Sequence, residues 1–428
     1  MTDHLPQKQS KILSIHAKNE LEPRPVNSYL PQDWQAISLW EVCENPVSGY
    51  SPIGTDHPAR EDEVGVLKLS CIKESRFHPE KNKSVVETKI DELITPVKGD
   101  TLIVSRSNTD ELVGAVCYIE RDYPNLFLSD LLWRVSAKEG TKIDLRWLSY
   151  LLSFAPYRAK IISRANGTSG SMKKITKSGF LGIRIVYPQL NEQRRIAEIL
   201  STWDTAINQS RKLIAAKKNR KKALMQQLLT GKKRLQGHKG SWKKLSLGEL
   251  FSERNETNGD HLPLLAITGK RGIILASEIE RKDSSSEDKS MYKRIAPGDI
   301  GYNTMRMWQG VSAVASMEGI VSPAYTICKP KKGVHVTFMA YLFKLPSVIH
   351  LFWSYSQGLV SDTLNLKFYN FAQIRIEVPD IKEQGCIADV LLAADDEIRF
   401  QEEKLSFLKK QKRGLMQKLL SGEVRVKV

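Results

Sequence analysis

The chain lacks any run of about 18 apolar residues, so no segment of it is expected to cross a membrane as a helix. Its opening stretch, "MTDHLPQKQSKILSIHAKNELEPRPVNSYLPQDW", has no apolar core of the kind that directs secretion, and reads as a loose arm. Cysteine is scarce: Cys43, Cys71, Cys117, Cys328 and Cys386 are odd in number, widely scattered and form no CxxC. That pattern argues against a disulfide framework and for a reducing, cytoplasmic setting. The eight histidines form no HExxH and no close pair, so no metal site is expected. Enzyme signatures are missing as well. There is no GxxxxGK[ST] phosphate loop and no strand leading into a glycine-rich turn that could hold a methyl donor. "NPVSGY" (45–50) shares only Asn-Pro with an adenine-methyltransferase tetrapeptide, and Pro379-Asp380 falls at a repeat junction where its counterpart is Pro188-Gln189. No catalytic residue is expected.

Acidic residues are in deficit. Among 428 residues, 65 Lys and Arg face 48 Asp and Glu, giving a net charge of +17 and a pI near 9.5. Such a balance points to a polyanionic partner. The excess is concentrated: from Gln193 to Lys244 there are 15 basic residues against Glu198 and Asp204.

What the chain does have is a repeat. "LMQQLLTG" (224–231) returns as "LMQKLLSG" (415–422), and the same offset of 191 aligns "PQLNEQRRIAEILSTWDTAI" from Pro188 with "PDIKEQGCIADVLLAADDEI" from Pro379. Upstream, "WQAISLWEV" at Trp34 resembles "WKKLSLGEL" at Trp242. "VKGDTLIVSRSNT" (97–109) parallels "APGDIGYNTMRMW" (296–308), and "GIRIVYP" (182–188) parallels "QIRIEVP" (373–379). The expected plan is an N-terminal arm (1–33), a first domain (34–187), a first helix (188–231), a linker (232–241), a second domain (242–378), a second helix (379–422) and a short tail (423–428). Short alternating runs mixed with helical stretches make each domain mixed α/β.

The helical copies carry a heptad seam. Ile196, Leu200, Trp203, Ile207, Ser210, Ile214, Lys217, Lys221, Leu224 and Leu228 keep an unbroken four-three spacing. So do Ile387, Leu391, Ala394, Ile398, Gln401, Leu405, Leu408, Lys412, Leu415 and Leu419. Two unrelated amphipathic helices, each packed on its own domain, are the plainer alternative. Charge favours an antiparallel pair, because parallel helices would set "KKNRKK" (217–222) beside "LKKQKR" (408–413). The expected register sets Ser210 against Gln401 as a polar layer, with Ile207 at Leu405, Ile214 at Ile398 and Leu224 at Ile387. The fold class expected is therefore α/β: two mixed α/β domains separated by two long helices that form an antiparallel intramolecular coiled coil with pseudo-twofold symmetry. Such a rod, about 50 Å long at 1.5 Å per residue, acts as a ruler. Two dissimilar domains at a set spacing suit a reader of two dissimilar DNA half-sites.

With its two "EQ..IA…LMQ.LL.G" helices and two "W..[IL]SL.E[VL]" domain openings, the chain resembles the specificity subunit of a Type I restriction-modification enzyme, over roughly Trp34 to Gly422. The resemblance implies a non-catalytic, DNA-binding subunit whose two target-recognition domains read a bipartite, asymmetric double-stranded sequence, the spacer helices setting the gap. It implies two methyltransferase subunits as partners, joined by motor/nuclease subunits for cleavage. S-adenosylmethionine would sit on the methyltransferase, leaving no cofactor in this chain. Gly385-Cys386 departs from Arg194-Arg195, and the arm before Trp34 is long; both bear on partner contacts.

Chemistry, not resemblance, selects the candidate DNA contacts. Arg106, Ser107 and Asn108 in "SRSNT" suit base edges, as do Asn303, Arg306 and Gln309 in "YNTMRMWQ". "NGTSGSMKKITKS" adds Thr168, Ser169, Lys173, Lys174 and Lys177 for phosphates, and "SQGLVSDTLNLKFYN" adds Asn365, Lys367 and Tyr369. Two rival readings remain: a protein-binding scaffold with a coiled-coil spacer, and a self-contained DNA-modifying enzyme.

Overall fold

In the computed structural model, residues 31–427 are described, apart from 56, 87–90, 92, 110, 168–171, 258, 260, 270, 280–287 and 360–362. Most of the expected arm, residues 1–30, and the last residue of the expected tail lie outside the described residues. The chain divides into two compact units, Met1–Asn208 with Ser406–Val428, and Gln209–Leu405. The division falls inside both long helices, Leu190–Leu228 and Ile381–Leu420. Each unit thus holds one mixed α/β lobe, the first half of the helix that follows it, and the last half of the other helix.

In the first unit, Gln35–Ser38 pairs antiparallel with Arg184–Tyr187, the strand that feeds the first long helix. A four-stranded sheet runs in the order Val116–Ile119, Thr101–Ser105, Leu132–Val135, Val47–Ser48. A second runs Asn82–Ser84, Gly65–Leu67, Tyr123–Phe127, Pro96–Val97. Helices Leu145–Ser153 and Ala155–Ile162 cover a core that includes the fully buried Trp133, Trp147 and Phe180. In the second unit, Lys243–Ser246 pairs with Arg375–Val378. Its four-stranded sheet runs Phe251–Glu253, Tyr325–Pro330, Ile300–Asn303, Ser312–Val314. Five phenylalanines, Phe251, Phe338, Phe343, Phe352 and Phe371, fill the core beneath helices Val336–Leu342 and Pro346–Ser354.

The repeated phrases have local causes. In "ISLWE" and "LSLGE" the serine caps a four-residue helix and the glutamate three places on returns a bond to the serine amide. This reciprocal box satisfies two helix-end donors at once. "TG" and "SG" end the long helices at Gly231 (φ +68) and Gly422 (φ +76). Lys233 N donates to Gln227 O and Val424 N to Lys418 O, the six-residue closure that needs a left-handed residue after the helix.

Both helices bury the seam. Ile196, Leu200, Ile207, Ile214 and Leu228 are buried on the first helix, as are Ile387, Leu391, Ile398 and Leu419 on the second. Trp203, Leu224, Gln401, Leu405, Leu408 and Leu415 are half-buried. The halves run antiparallel. In the first unit Ile196 and Leu200 share a core with Leu419 and Leu420, and Lys412 Nζ bonds Asp204 at 2.7 Å. In the second, Lys217 pairs with Glu397 at 2.7 Å, Lys221 with Asp395 at 2.6 Å and Lys218 with Glu402 at 2.6 Å. Each of these pairs reaches further toward the C-terminal end of the second helix than the expected register sets level. Counting from Lys221–Asp395, Gln401 lies level with Ala215 and not with Ser210. Ser210 Oγ is buried without a hydrogen-bond partner among the described residues, so it makes no bond to Gln401.

Candidate nucleic-acid interface

In the first unit the two candidate segments meet. The strand Thr101–Ser105 runs into Arg106, and Ser107–Asn108 then pairs antiparallel with Lys173–Lys174, Asn108 opposite Lys173 and Ser107 opposite Lys174. Ile175 N donates to Arg106 O at 3.0 Å, which extends the join. Arg106, Asn108, Lys173, Lys174 and Lys177 therefore lie along one short ribbon. Lys177 opens the helix Lys177–Leu181, whose cap is the Thr176 hydroxyl accepting from Gly179 N. Arg106 is half-exposed and in no ion pair among the described residues. Ser107 is a correction: it is fully buried, because strand alternation turns it inward, and its hydroxyl is not offered to a ligand. The Asn108 side chain bonds Ser105 Oγ at 3.2 Å and Thr109 N at 2.9 Å, so it shapes the loop in this state. Thr168 and Ser169 lie outside the described residues.

The second unit repeats the arrangement. Ile300–Asn303 runs into Thr304, Met305 and Arg306, then a 3-10 turn at Met307–Gln309. Asn303 Oδ1 accepts from Met305 N at 2.9 Å, and Trp308 Nε1 donates to Met305 O at 3.0 Å, which folds the loop on itself. Arg306 and Gln309 are exposed at its tip. The other segment is joined here by Leu366 N donating to Thr304 O at 2.9 Å. Lys367 is exposed, and Tyr369, 76% exposed, stands on the helix Phe368–Gln373. Asn365 is half-buried and bridges Gln357 through its backbone. Each lobe thus offers a polar loop and a neighbouring segment bearing lysine, tied by a backbone bond, an arrangement able to meet a base edge and a phosphate together.

Where the long helices meet the lobes lie contacts that sequence reasoning missed. In the first unit the buried Gln193 accepts from Asp144 N at 2.8 Å and donates to Lys142 O and Pro188 O. In the second, Gln384 accepts from His335 N at 2.9 Å and donates to Gly333 O and Pro379 O. Tyr150 and Lys412 converge on Asp204; Tyr341 and Lys221 converge on Asp395. Burial first, then the facing aspartate, push both tyrosine hydroxyls well above their ordinary range. Arg425 grips the buried Glu192, and Arg234 the buried Glu383, each with two bonds. Every side chain that makes these bonds recurs 191 residues on, while Lys142 and Asp144, which lend backbone atoms, become Gly333 and His335. The legible signal was the spacing of Tyr150 and Tyr341, and of Arg234 and Arg425, at the offset already set by the helices.

His238, Asp380 and Glu383 are the one group among the described residues whose ligand atoms converge as a metal site would require. Glu383 is committed to Arg234, and Asp380 caps the second long helix by accepting from Lys382 N and Glu383 N. The trio is structural. No single helix among the described residues is long and apolar enough to cross a membrane.

Residues 31–218 match the family model described as the Type I restriction modification DNA specificity domain. A putative type I restriction enzyme MjaX specificity subunit of Methanocaldococcus jannaschii is 24% identical, the match covering 93% of this chain and 95% of that protein. Among solved structures, the S subunit of a Type I restriction-modification system from M. genitalium superposes with a TM-score of 0.55 at 15% identity, covering 92% of this chain and 97% of that one. A chain from a structure on complex assembly and conformational transition of the type I R-M system gives 0.56 at 17% identity, covering 93% and 100%.

Proposed function

We propose, for a chain that belongs to the non-catalytic family of Type I restriction-modification specificity subunits, that each lobe reads one half of a bipartite, asymmetric duplex target. The paired helices set the number of unread base pairs between the halves. One observation carries this reading: an identical set of anchoring contacts ties a divergent lobe to the helix pair in each unit. Divergent lobes on a repeated frame are what a reader of two unlike half-sites needs, since equal lobes would demand a palindrome. Arg106, Asn108, Lys173, Lys174 and Lys177 meet the first half-site. Asn303, Arg306, Gln309, Lys367 and Tyr369 meet the second, Asn365 supporting them through its backbone. Arginine and asparagine side chains there select bases, and lysines neutralise phosphates. Within the restriction-modification complex, two methyltransferase subunits carrying S-adenosylmethionine bind this chain, and motor/nuclease subunits join for cleavage.

A length change tests the ruler. Seven residues inserted into 209–222 together with seven into 400–413 lengthen the paired helices by about 10 Å, or about three base pairs. Selection from a random duplex pool should return both half-motifs intact and the gap enlarged by that amount. Altered half-motifs with a fixed gap would remove the helices from the spacing role. A pool with no enrichment in the presence of the methyltransferase would favour the scaffold reading, and methylation or cutting by the isolated chain would favour the enzyme.

A further inference from the structure

Each candidate reading loop closes on a glycine that is held in an unusual way. The first loop ends at Gly114 (φ +64) and the second at Gly310 (φ +76). Both lie against an isoleucine of the second helix in their lobe. A Cβ on Gly114 would come within 2.3 Å of the Ile161 side chain, and one on Gly310 within 2.8 Å of Ile349. A left-handed backbone disfavours a side chain there, and that approach leaves no room for one unless the isoleucine shifts. Beside each glycine sits a half-buried cation that donates to backbone carbonyls and pairs with no acid among the described residues. Arg158 donates to Gly114 O at 2.7 Å, Val113 O at 2.9 Å and Glu111 O at 3.0 Å. Lys344 donates to Gly310 O at 2.6 Å, Ser312 O at 2.7 Å and Ser312 Oγ at 3.3 Å.

The two cations are not copies of one another. At the offset of 191 that relates the frame, Arg158 corresponds to Ile349 and Lys344 to Ser153. Two different side chains from different positions therefore perform one task in lobes that otherwise diverge. Burial lowers the pKa of both, and no carboxylate among the described residues offsets it. The compensation is the set of loop carbonyls, which would otherwise be partly buried and unpaired.

Building on the reading above, we propose that Arg158 and Lys344 are positioning residues for half-site recognition, Arg158 holding the first reading loop and Lys344 the second. Neither touches a base. Each fixes the closing end of its loop, so that the polar residues upstream keep one geometry, on which hydrogen-bond selection among bases depends.

The test uses the full chain with its methyltransferase subunits, a random duplex pool, and hydrogen exchange of the loop amides. In Lys344→Met the second half-motif should lose about tenfold in discrimination, the order of one bidentate base contact. The first half-motif and the gap should not change, and amides of 305–311 should exchange about tenfold faster. Arg158→Met should do the same to the first half-motif and to the amides of 111–114. Lys344→Arg and Arg158→Lys, which keep a donor in place, should recover most of the selectivity. Equal weakening of both halves, or no weakening in a variant that melts like the parent, overturns the proposal. So does a conservative variant as impaired as its methionine counterpart. A parent chain that returns no two-part motif overturns the half-site reading itself, a different outcome from a motif that ignores Lys344.

Discussion

The frame and the reading loops of this molecule obey different rules. In the frame, Gln193, Asp204, Tyr150 and Glu192 have their doubles in Gln384, Asp395, Tyr341 and Glu383, bonded to the same atoms of equivalent residues. At the loops, the first unit uses a short ribbon, Ser107–Asn108 with Lys173–Lys174, where the second uses a 3-10 turn at Met307–Gln309. Even the cation behind the closing glycine changes identity and position. Contacts that hold a lobe on the helices have one solution, met twice. Surfaces that meet a ligand can take many, as long as something rigid lies beneath them.

The comparison is broken most forcefully at the glutamines. Gln193 and Gln384 each satisfy three backbone groups at the junction of helix and lobe. Leucine in either place leaves those groups unpaired, at about 1–3 kcal/mol for each one that stays buried. Gln193→Leu and Gln384→Leu should each lower stability by about 3–4 kcal/mol, and by equal amounts, read as urea midpoints of the two units. Unequal losses would show that the repeat is one of sequence and not of energetics.

Alkali should separate the units. Burial pushes the Cys43 and Cys71 thiols up to about 12 and holds Cys117 well above its ordinary value; all three belong to the first unit. The second unit has one such thiol, Cys328. A folded pKa above the unfolded value of about 9 gives stability that is complete below pH 9 and lost as pH rises toward 12. The buried tyrosines, shared by both units, enter only above about pH 10. At pH 9.5 the first unit should have lost about 2 kcal/mol more than the second, measured by hydrogen exchange of each. Cys117→Ala and Cys71→Ala should narrow that gap.

A smaller effect is expected at the ion pairs. Double-mutant cycles on Asp204 with Lys412, and on Asp395 with Lys221, should each give a coupling of about 1 kcal/mol that shrinks in high salt. A cycle that fails at one pair alone would mean that the helices are locked from one unit.

Much of this was legible because periodicity reports the frame. The four-three spacing located both helices, and opposed charge runs gave their direction. Register was not legible, since spacing does not say how far a lysine such as Lys218 reaches to find Glu402. The candidate loops were legible as polar runs after a Gly-Asp turn, yet composition cannot say which residue faces inward. Ser107 and Asn108 look equally available in sequence; strand alternation buries one and leaves the other half-exposed. The closing cations were invisible, because Arg158 and Lys344 lie 44 and 34 residues from the glycines they serve and share no repeat position.

One position lets the frame itself be probed with least disturbance. Where the first helix has Arg195, paired with Glu198, the second has the exposed Cys386. The other four thiols are buried, and a reagent reaches a buried thiol only when its surroundings open. A maleimide should therefore label one site in the native protein, Cys386, and all five after denaturation. Because a surface substitution of this kind changes stability by no more than about 0.5 kcal/mol, the labelled chain should keep the parent's urea midpoints. Slow labelling of a second site would then report opening of the first lobe if it falls on Cys43, Cys71 or Cys117, and of the second if it falls on Cys328. The ratio of those two rates measures how evenly one frame holds two unlike lobes.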